Sequence, residues 1–425
     1  MAKLKIGVFG AHRGMSMIKV LLAYHGADLV AVCDMHLPSL EKVRKKAEEA
    51  NMDVALYENF EDFIKHDMDA VILANYATEH ATYAVRCLDL GLHVLSECLP
   101  CETMAQAVEL IEAVERSGKV YGFAENCCYM TYAWEMWRKY EEGLLGDVVY
   151  AECEYLHDCT DIWPHITYGD PNHWRNLMYP TFYCTHSIGP IITATGRRPV
   201  QVVGYETPRR EKSFELMGML PGCGIEMIKL DNGAVVKSIH GGFVRKQATP
   251  WNFQIYCQNG MMENGRFSEQ KQFNMYYEKD KVCKGKWERY DPTNEVGRKY
   301  ALGATDMKVH GGADFYAPYV FIEKILGNED GKWCIDVYQA VDMGICGILA
   351  WRSAINGNIP IDVPNLRNPE ERDAYRNDHA CTTPAVAGDQ LVPVTSFPHD
   401  PVPAEIFEKA KQLWLDDKDA NGDKL

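Results

Sequence analysis

The sequence predicts an α/β region followed by an α+β region: a doubly wound parallel sheet at the N-terminus, then an open, mostly antiparallel sheet. Three observations carry this expectation. Leu4 to Asp34 reads as strand, glycine turn, amphipathic helix, strand and terminal acid. Apolar runs and helical segments then alternate as far as Asn126. Beyond that point short alternating segments, punctuated by turn residues, take over. Strand–helix alternation argues for parallel strands with helices on both faces, whereas closely spaced alternating segments argue for hairpins.

In the first element Leu4, Ile6, Val8 and Phe9 form an apolar run that turns through Gly10-Ala-His-Arg-Gly14 into a helix. Gly26 ends the helix, and the run from Leu29 to Cys33 stops at Asp34. A tight glycine turn lets backbone N–H groups and a helix N-terminus meet a pyrophosphate. Asp34 lies 24 residues after Gly10, near the roughly 20 that separate the turn from a ribose-binding acid. The layout is that of a Rossmann dinucleotide site, although a strict G-x-G-x-x-G would need glycine at His12 and Met15. Because the acid repels a 2′-phosphate, NAD is the expected cofactor rather than NADP.

Asp69 to Asn75 follows as a buried strand, then a helix from Thr78 to Leu90, a strand from His93 to Glu97, and a helix opened by a Thr103/Gln106 capping box. Val120 to Glu125 is a further strand. Ligands of such sheets bind at the carboxyl edges of the strands, where Asn75, Glu97, Glu125 and Asn126 fall. The candidate cofactor-binding set is Gly10, His12, Arg13, Gly14, Asp34, Asn75, His80, Glu97 and Asn126.

After Asn126 strands are expected at Val148 to Leu156, Val200 to Tyr205, Glu226 to Leu230, Ala234 to Ile239 and Phe253 to Gln258. Helices flank them at Tyr132 to Glu142, Ser187 to Thr195, Asp314 to Leu326 and Asp336 to Asn356. The expected division is a Rossmann domain over 1–126, an α+β substrate domain over 127–364, and a C-terminal arm over 365–425. The arm is rich in proline and charge, with one short helix from Ala404 to Leu415.

Composition bounds the function. A chain of 425 residues is too long for one core. Its net charge of −16 disfavours nucleic acid and anionic membranes as partners. No apolar run is expected to approach the roughly 20 residues that span a bilayer, and the start, Met-Ala-Lys-Leu-Lys, is read as running straight into a strand without a signal peptide. Fifteen scattered cysteines fit reduced thiols in a cytoplasm. Cys98-Leu-Pro-Cys101 has no second C-x-x-C at zinc spacing, and His157, His165, His173 and His186 are too widely spaced for a preformed site, so no metal is expected.

Seven short stretches, in order, carry a family resemblance: Ser96-Glu97 with Pro100; Glu125-Asn126; Glu154-Tyr-Leu-His-Asp158; Trp174-Arg175; Tyr183-Cys-Thr-His-Ser-Ile-Gly-Pro190; His310-Gly-Gly312 with Asp314-Phe315; and Asp336-Val-Tyr338. Through them residues 4–365 resemble the glucose–fructose oxidoreductase/inositol dehydrogenase/MocA (Gfo/Idh/MocA) family. Within it the chain is most similar to the NAD-dependent glycoside hydrolases of family 109 and related NAD-dependent glycosidases. The resemblance implies a tightly held NAD, a small carbohydrate substrate and a cytoplasmic homo-oligomer, dimer or tetramer. Sugar dehydrogenases of the family carry Glu-Lys-Pro, where this chain reads Glu97-Cys-Leu-Pro100 without the lysine. They also carry aspartate four residues before the catalytic histidine, where this chain has Phe182. The hydrolases lack that lysine and place a tyrosine three residues before the histidine, as Tyr183 stands before His186.

Most glycosidases use paired carboxylates; NAD-dependent ones are the exception. They oxidise a sugar hydroxyl, expected at C3, remove the acidified C2 proton, eliminate the C1 substituent, add water and reduce the ketone again. The candidate catalytic residues are His186 at the C3 hydroxyl, Tyr183 and Tyr155 for proton transfer at C2 and the glycosidic oxygen, and Glu125 as an orienting or relay group. His173, Trp174, Arg175 and His310 are candidates for sugar binding. Arg175 or Arg245 can hold an anionic sugar such as a sulfoquinovoside, whereas family 109 implies α-N-acetylgalactosaminides. Met178 to Phe182 looks inserted relative to that family. An NAD-dependent sugar dehydrogenase and a non-catalytic sugar or NAD sensor are the other readings.

Overall fold

The computed structural model describes residues 3–24, 26–241, 250–266, 272–279, 284–296 and 312–416. The chain forms two compact units, Met1–Thr131 with Thr293–Val341, and Tyr132–Pro292 with Asp342–Leu425. The expected block from 127 to 364 is thus interrupted: its stretch from 293 to 341 clusters with the N-terminal unit.

The first unit is built on six strands: β1 (Leu4–Phe9), β2 (Ala27–Cys33), β3 (Ala55–Tyr57), β4 (Ala70–Leu73), β5 (His93–Ser96) and β6 (Tyr121–Phe123). Their order is β3-β2-β1-β4-β5-β6 and every pairing is parallel. Ile6, Val8, Val32, Ile72 and Val94 are fully buried, as expected of strands covered on both faces. Half of the capping box forms as read, with Gln106 N donating to Thr103 Oγ1 at 3.1 Å; the returning Gln106 Oε1 accepts instead from Glu102 N, one residue before the cap, at 2.8 Å. The later helix Ala313–Leu326 belongs to this unit, with Phe315 edge-on to Tyr24 and Phe321 against Gly122.

The second unit carries nine strands: β7 (Val148–Leu156), β8 (Pro199–Glu206), β9 (Gly224–Leu230), β10 (Val235–Gly241), β11 (Trp251–Cys257), β12 (Gly260–Asn264), β13 (Phe273–Glu278), β14 (Gly285–Tyr290) and β15 (Ile361–Asp362). The order is β14-β13-β12-β11-β7-β10-β9-β8-β15. All neighbours are antiparallel except β7 and β10, which run parallel. One face takes the helix Cys184–Thr195, fixed by a 2.7 Å hydrogen bond between Ser187 and Ser238. The final stretch lies on this same unit: Trp351 Nε1 donates to Pro393 O at 2.9 Å, Ser396 N to Glu206 at 2.5 Å, and the helix Ala404–Asp416 packs against Gly169.

The fold is therefore α/β plus α+β, a Rossmann sheet and an open, mostly antiparallel one. One correction applies to the apolar runs. Glu329–Ile355 is long and apolar enough to cross a membrane by length and composition, but 83% of its window is buried, as in a core helix.

Candidate functional site

In the first unit the glycine turn is shaped by close backbone approach. Gly10 has φ +99°, and a Cβ there would sit 2.4 Å from the Ala74 carbonyl, so only glycine fits. Asp34, at the carboxyl end of β2, accepts from Ala11 N at 2.7 Å, His12 N at 3.3 Å and His36 N at 2.8 Å. The acid and the first helical amides are thus locked together, as the layout of the opening stretch implies. Gly14 faces Val8, where a Cβ would approach Cγ1 to 2.9 Å.

Arg13 reaches from the same turn to Glu97 at 2.5 Å and to Asp314 at 3.6 Å. Burial works against the guanidinium charge, but the two carboxylates outweigh it and raise its pKa. Two residues expected at the cofactor therefore bind each other. Asp314 completes the cluster although it lies some three hundred positions away in the sequence. Asn75, after β4, donates to Glu79 at 3.1 Å. Asn75 Oδ1 and Asn126 Oδ1 are both buried without a hydrogen-bond partner among the described residues. His80 is buried, its Nδ1 3.3 Å from Leu99 O, and burial pushes its pKa down to about 4. Glu125 is fully buried; it accepts from Cys127 N at 3.1 Å, capping the turn Asn126–Tyr129, and from the Cys98 thiol at 3.1 Å. Burial, with Glu125 and Glu97 nearby, pushes the Cys98 thiol well up, and burial pushes Cys101 up to about 12. Both are free thiols, of the protonated, unreactive kind.

In the second unit three of the candidate catalytic side chains converge. The Tyr183 and His186 rings stack at 4.9 Å and 13°, and the Tyr155 ring is 4.6 Å from His186. Tyr183 and His186 sit at the start of the helix Cys184–Thr195, one turn apart, while Tyr155 comes from the end of β7. Arg175 Nη1 donates to the Tyr183 hydroxyl at 2.9 Å, and its guanidinium lies 4.2 Å over the Trp174 ring. The Tyr155 hydroxyl is 3.2 Å from His157 Nδ1, which also meets the Cys159 thiol at 3.5 Å. His173 is buried, accepts from Arg175 N at 3.2 Å and stacks on Trp174. Burial, followed by the Arg175 charge, lowers its pKa to about 3, so it is a neutral cap for the turn that carries Arg175. His310 and Arg245 lie outside the described residues.

Residues 4–125 match the family model Gfo/Idh/MocA, an oxidoreductase family with an NAD-binding Rossmann fold. The match is confined to the Rossmann region of the first unit. The chain is 23% identical over 421 residues to a glycosyl hydrolase family 109 protein of Phocaeicola vulgatus, covering 88% of this chain and 87% of that one. It is 25% identical over 418 residues to an α-N-acetylgalactosaminidase of Tannerella forsythia, covering 85% and 86%. An oxidoreductase from Agrobacterium radiobacter, solved with NAD⁺, L-tartaric acid and magnesium, superposes with a TM-score of 0.66 at 12% identity, covering 85% of this chain and 98% of that one. With an NAD-binding Rossmann region over residues 4–125, the cofactor is NAD.

Three parts of the site escape sequence reasoning. Asp314 and His157 stand within the motifs of the resemblance, but nothing in the sequence pairs the first with Arg13 or the second with Tyr155. Arg175 is legible as a sugar ligand, not as the donor to Tyr183.

Proposed function

We propose that this chain is an NAD-dependent glycoside hydrolase that cleaves by a redox-neutral cycle of oxidation, elimination, water addition and reduction. The observation that carries the reading is the packing of Tyr155, Tyr183 and His186 with Arg175 bound to the Tyr183 oxygen. The residues fit NAD: a glycine-only turn, an acid at the end of β2, and unpartnered amide oxygens of Asn75 and Asn126 at two strand ends. Gly10, Asp34, Asn75 and Asn126 would hold it, and the carboxylate of Asp34 disfavours a 2′-phosphate. NAD, when bound, supplies a transient oxidation of the sugar at C3 and its reversal.

The remaining steps fall to side chains. His186 takes the proton of the C3 hydroxyl, a task suited to an imidazole near neutrality. Once C3 is a ketone the C2 hydrogen is acidic, and Tyr183, as the phenolate left when its own proton has gone to solvent, removes it. The fixed guanidinium of Arg175 stabilises that phenolate, because an opposite charge within hydrogen-bond distance favours the ionised form. Tyr155 gives its proton to the departing glycosidic oxygen and draws on His157, to which it is hydrogen-bonded. Water then adds at C1 and the proton transfers run in reverse. Glu125 acts only as an orienting group, since its oxygens already hold Cys127 and Cys98.

The relatives named above make an α-N-acetylgalactosaminide the first substrate to try. Absence of the lysine in Glu97-Cys98-Leu99-Pro100 supports hydrolysis over plain dehydrogenation. We take the enzyme to be cytoplasmic and homo-oligomeric; exposed Tyr205, Met227 and Trp287, on the sheet face away from the helix Cys184–Thr195, support association between copies. The test is a screen of aryl and natural glycosides without added cofactor, read by sugar release. Release by protein as purified is expected. Oxidation of free sugars only when NAD⁺ is added would reject the hydrolase reading.

A further inference from the structure

Beneath the helix Cys184–Thr195, the second unit buries a group of metal-binding side chains that the proposed reaction does not use. Glu226 on β9 and His240 on β10 come together through the antiparallel register of those strands, in which Glu226 faces Ser238 and His240 faces Gly224. His240 Nε2 lies 2.6 Å from Glu226 Oε1. Cys184, the first residue of the helix, adds its sulfur, and one donor atom from each of the three lies within 4.8 Å of the others. Relative exposures are 1% for Cys184, 0% for Glu226 and 2% for His240.

The second oxygen of Glu226 is buried and has no hydrogen-bond partner among the described residues. An ionised carboxylate so placed is costly unless a cation or a full set of donors answers it. His240 engages one oxygen only. A fourth donor is at hand, because the Cys346 thiol is hydrogen-bonded to Cys184.

We propose that Cys184, Glu226 and His240 form a buried site for a divalent transition-metal ion of the zinc class, with Cys346 or a water in the fourth position. One thiolate, one carboxylate and one neutral imidazole suit Zn²⁺ in ligand type, and their two negative charges balance the ion. Binding exchanges the Cys184 proton, lost to solvent, for the metal–sulfur bond. With bond lengths of about 2.0–2.3 Å, tetrahedral donors stand roughly 3.4 Å apart. Occupancy therefore replaces the 2.6 Å contact between Glu226 and His240 with bonds to the ion. The three donors are fully enclosed, so the ion is structural. It ties β9 and β10 to the start of the helix that carries His186 two residues after Cys184. The site stands independently of the reading of His186 as a base.

The test uses full-length protein purified without chelators from zinc-supplemented cells. Elemental analysis should find about one zinc per chain. Replacement by Co²⁺ should give thiolate-to-cobalt charge-transfer absorption in the near ultraviolet. Cys184→Ser should abolish that absorption, and Glu226→Gln should weaken metal affinity at least about tenfold, with far-ultraviolet circular dichroism reporting whether each variant folds. Folded wild-type protein that contains no zinc and takes up no Co²⁺ would overturn the site, leaving a hydrogen-bonded histidine–glutamate pair. Cobalt–thiolate absorption that persists in Cys184→Ser would overturn it equally. If neither variant folds, metal content and the cobalt spectrum of the wild type decide alone.

Discussion

Replacing Arg175 with methionine separates the catalytic role of this side chain from its packing. Methionine keeps an unbranched stem of similar length over Trp174 but removes the donor to Tyr183, now 2.9 Å away. A hydrogen bond from a charged group contributes about 1.5–3 kcal/mol. If that interaction holds Tyr183 as the phenolate, its loss depletes the active base and lowers kcat by about 10- to 150-fold. The stack of the guanidinium on Trp174 contributes only about 0.5–1 kcal/mol to folding, so the variant should fold. Steady-state kinetics on an aryl glycoside supply the assay. Loss of the ionised base lowers kcat and kcat/KM together and leaves KM nearly unchanged. Arg175→Lys, which restores a charge without the planar fork, should recover part of the rate. Methionine-variant activity within about twofold of wild type would refute the assignment of Arg175, and with it the choice of Tyr183 as the C2 base.

Three further outcomes are expected. His186→Ala should fold and bind NAD as wild type does while losing turnover by at least about 100-fold; isothermal titration and activity assays separate the two, and retained activity would mean another group takes the C3 proton. Gly10→Ala should cost about 2–5 kcal/mol of stability and weaken NAD binding, since it combines a positive φ with a Cβ pressed into backbone; a melting temperature equal to wild type would contradict the close approach. His80 and His173 are held near pKa 4 and 3, mainly by burial, against 6.5 for the ordinary imidazole. The unfolded chain then binds more protons below that value, so stability is full above about pH 6.5 and declines as pH falls toward 4 and 3. Urea midpoints that stay flat through this range would show that the two rings are not held neutral.

Much of the fold is legible because its signals are local. The bounds of β7 are those read from alternation alone, and the turn Asp231-Asn-Gly233 falls between β9 and β10. Asp34 is legible because the acid, the glycine turn and the strand end lie within one βαβ unit. What the sequence hides is pairing at a distance. The parallel contact of β7 with β10 has no signature in either strand. Strands β12 to β14 and the short edge strand β15 carry too little periodicity to be placed from sequence alone. The stretch Met178 to Phe182, read as an insertion, is buried packing, with Thr181 Oγ1 donating to Gly347 O at 2.7 Å. The same limit applies to the sites. Tyr183 and His186 are three residues apart and can be read together, whereas Arg13 with Asp314, and Cys184 with Glu226 and His240, meet only through the fold.

Elimination after oxidation at C3 is the central claim, and the fate of the hydrogen at C2 tests it most directly. That hydrogen leaves as a proton and returns from solvent, whereas carboxylate-pair hydrolysis never breaks the bond and a plain dehydrogenase accumulates reduced cofactor. Turnover of a cleaved glycoside in D₂O should therefore release free sugar carrying deuterium at C2, with no net NADH. Sugar released with protium at C2, or an oxidised sugar formed with stoichiometric NADH, would contradict the account.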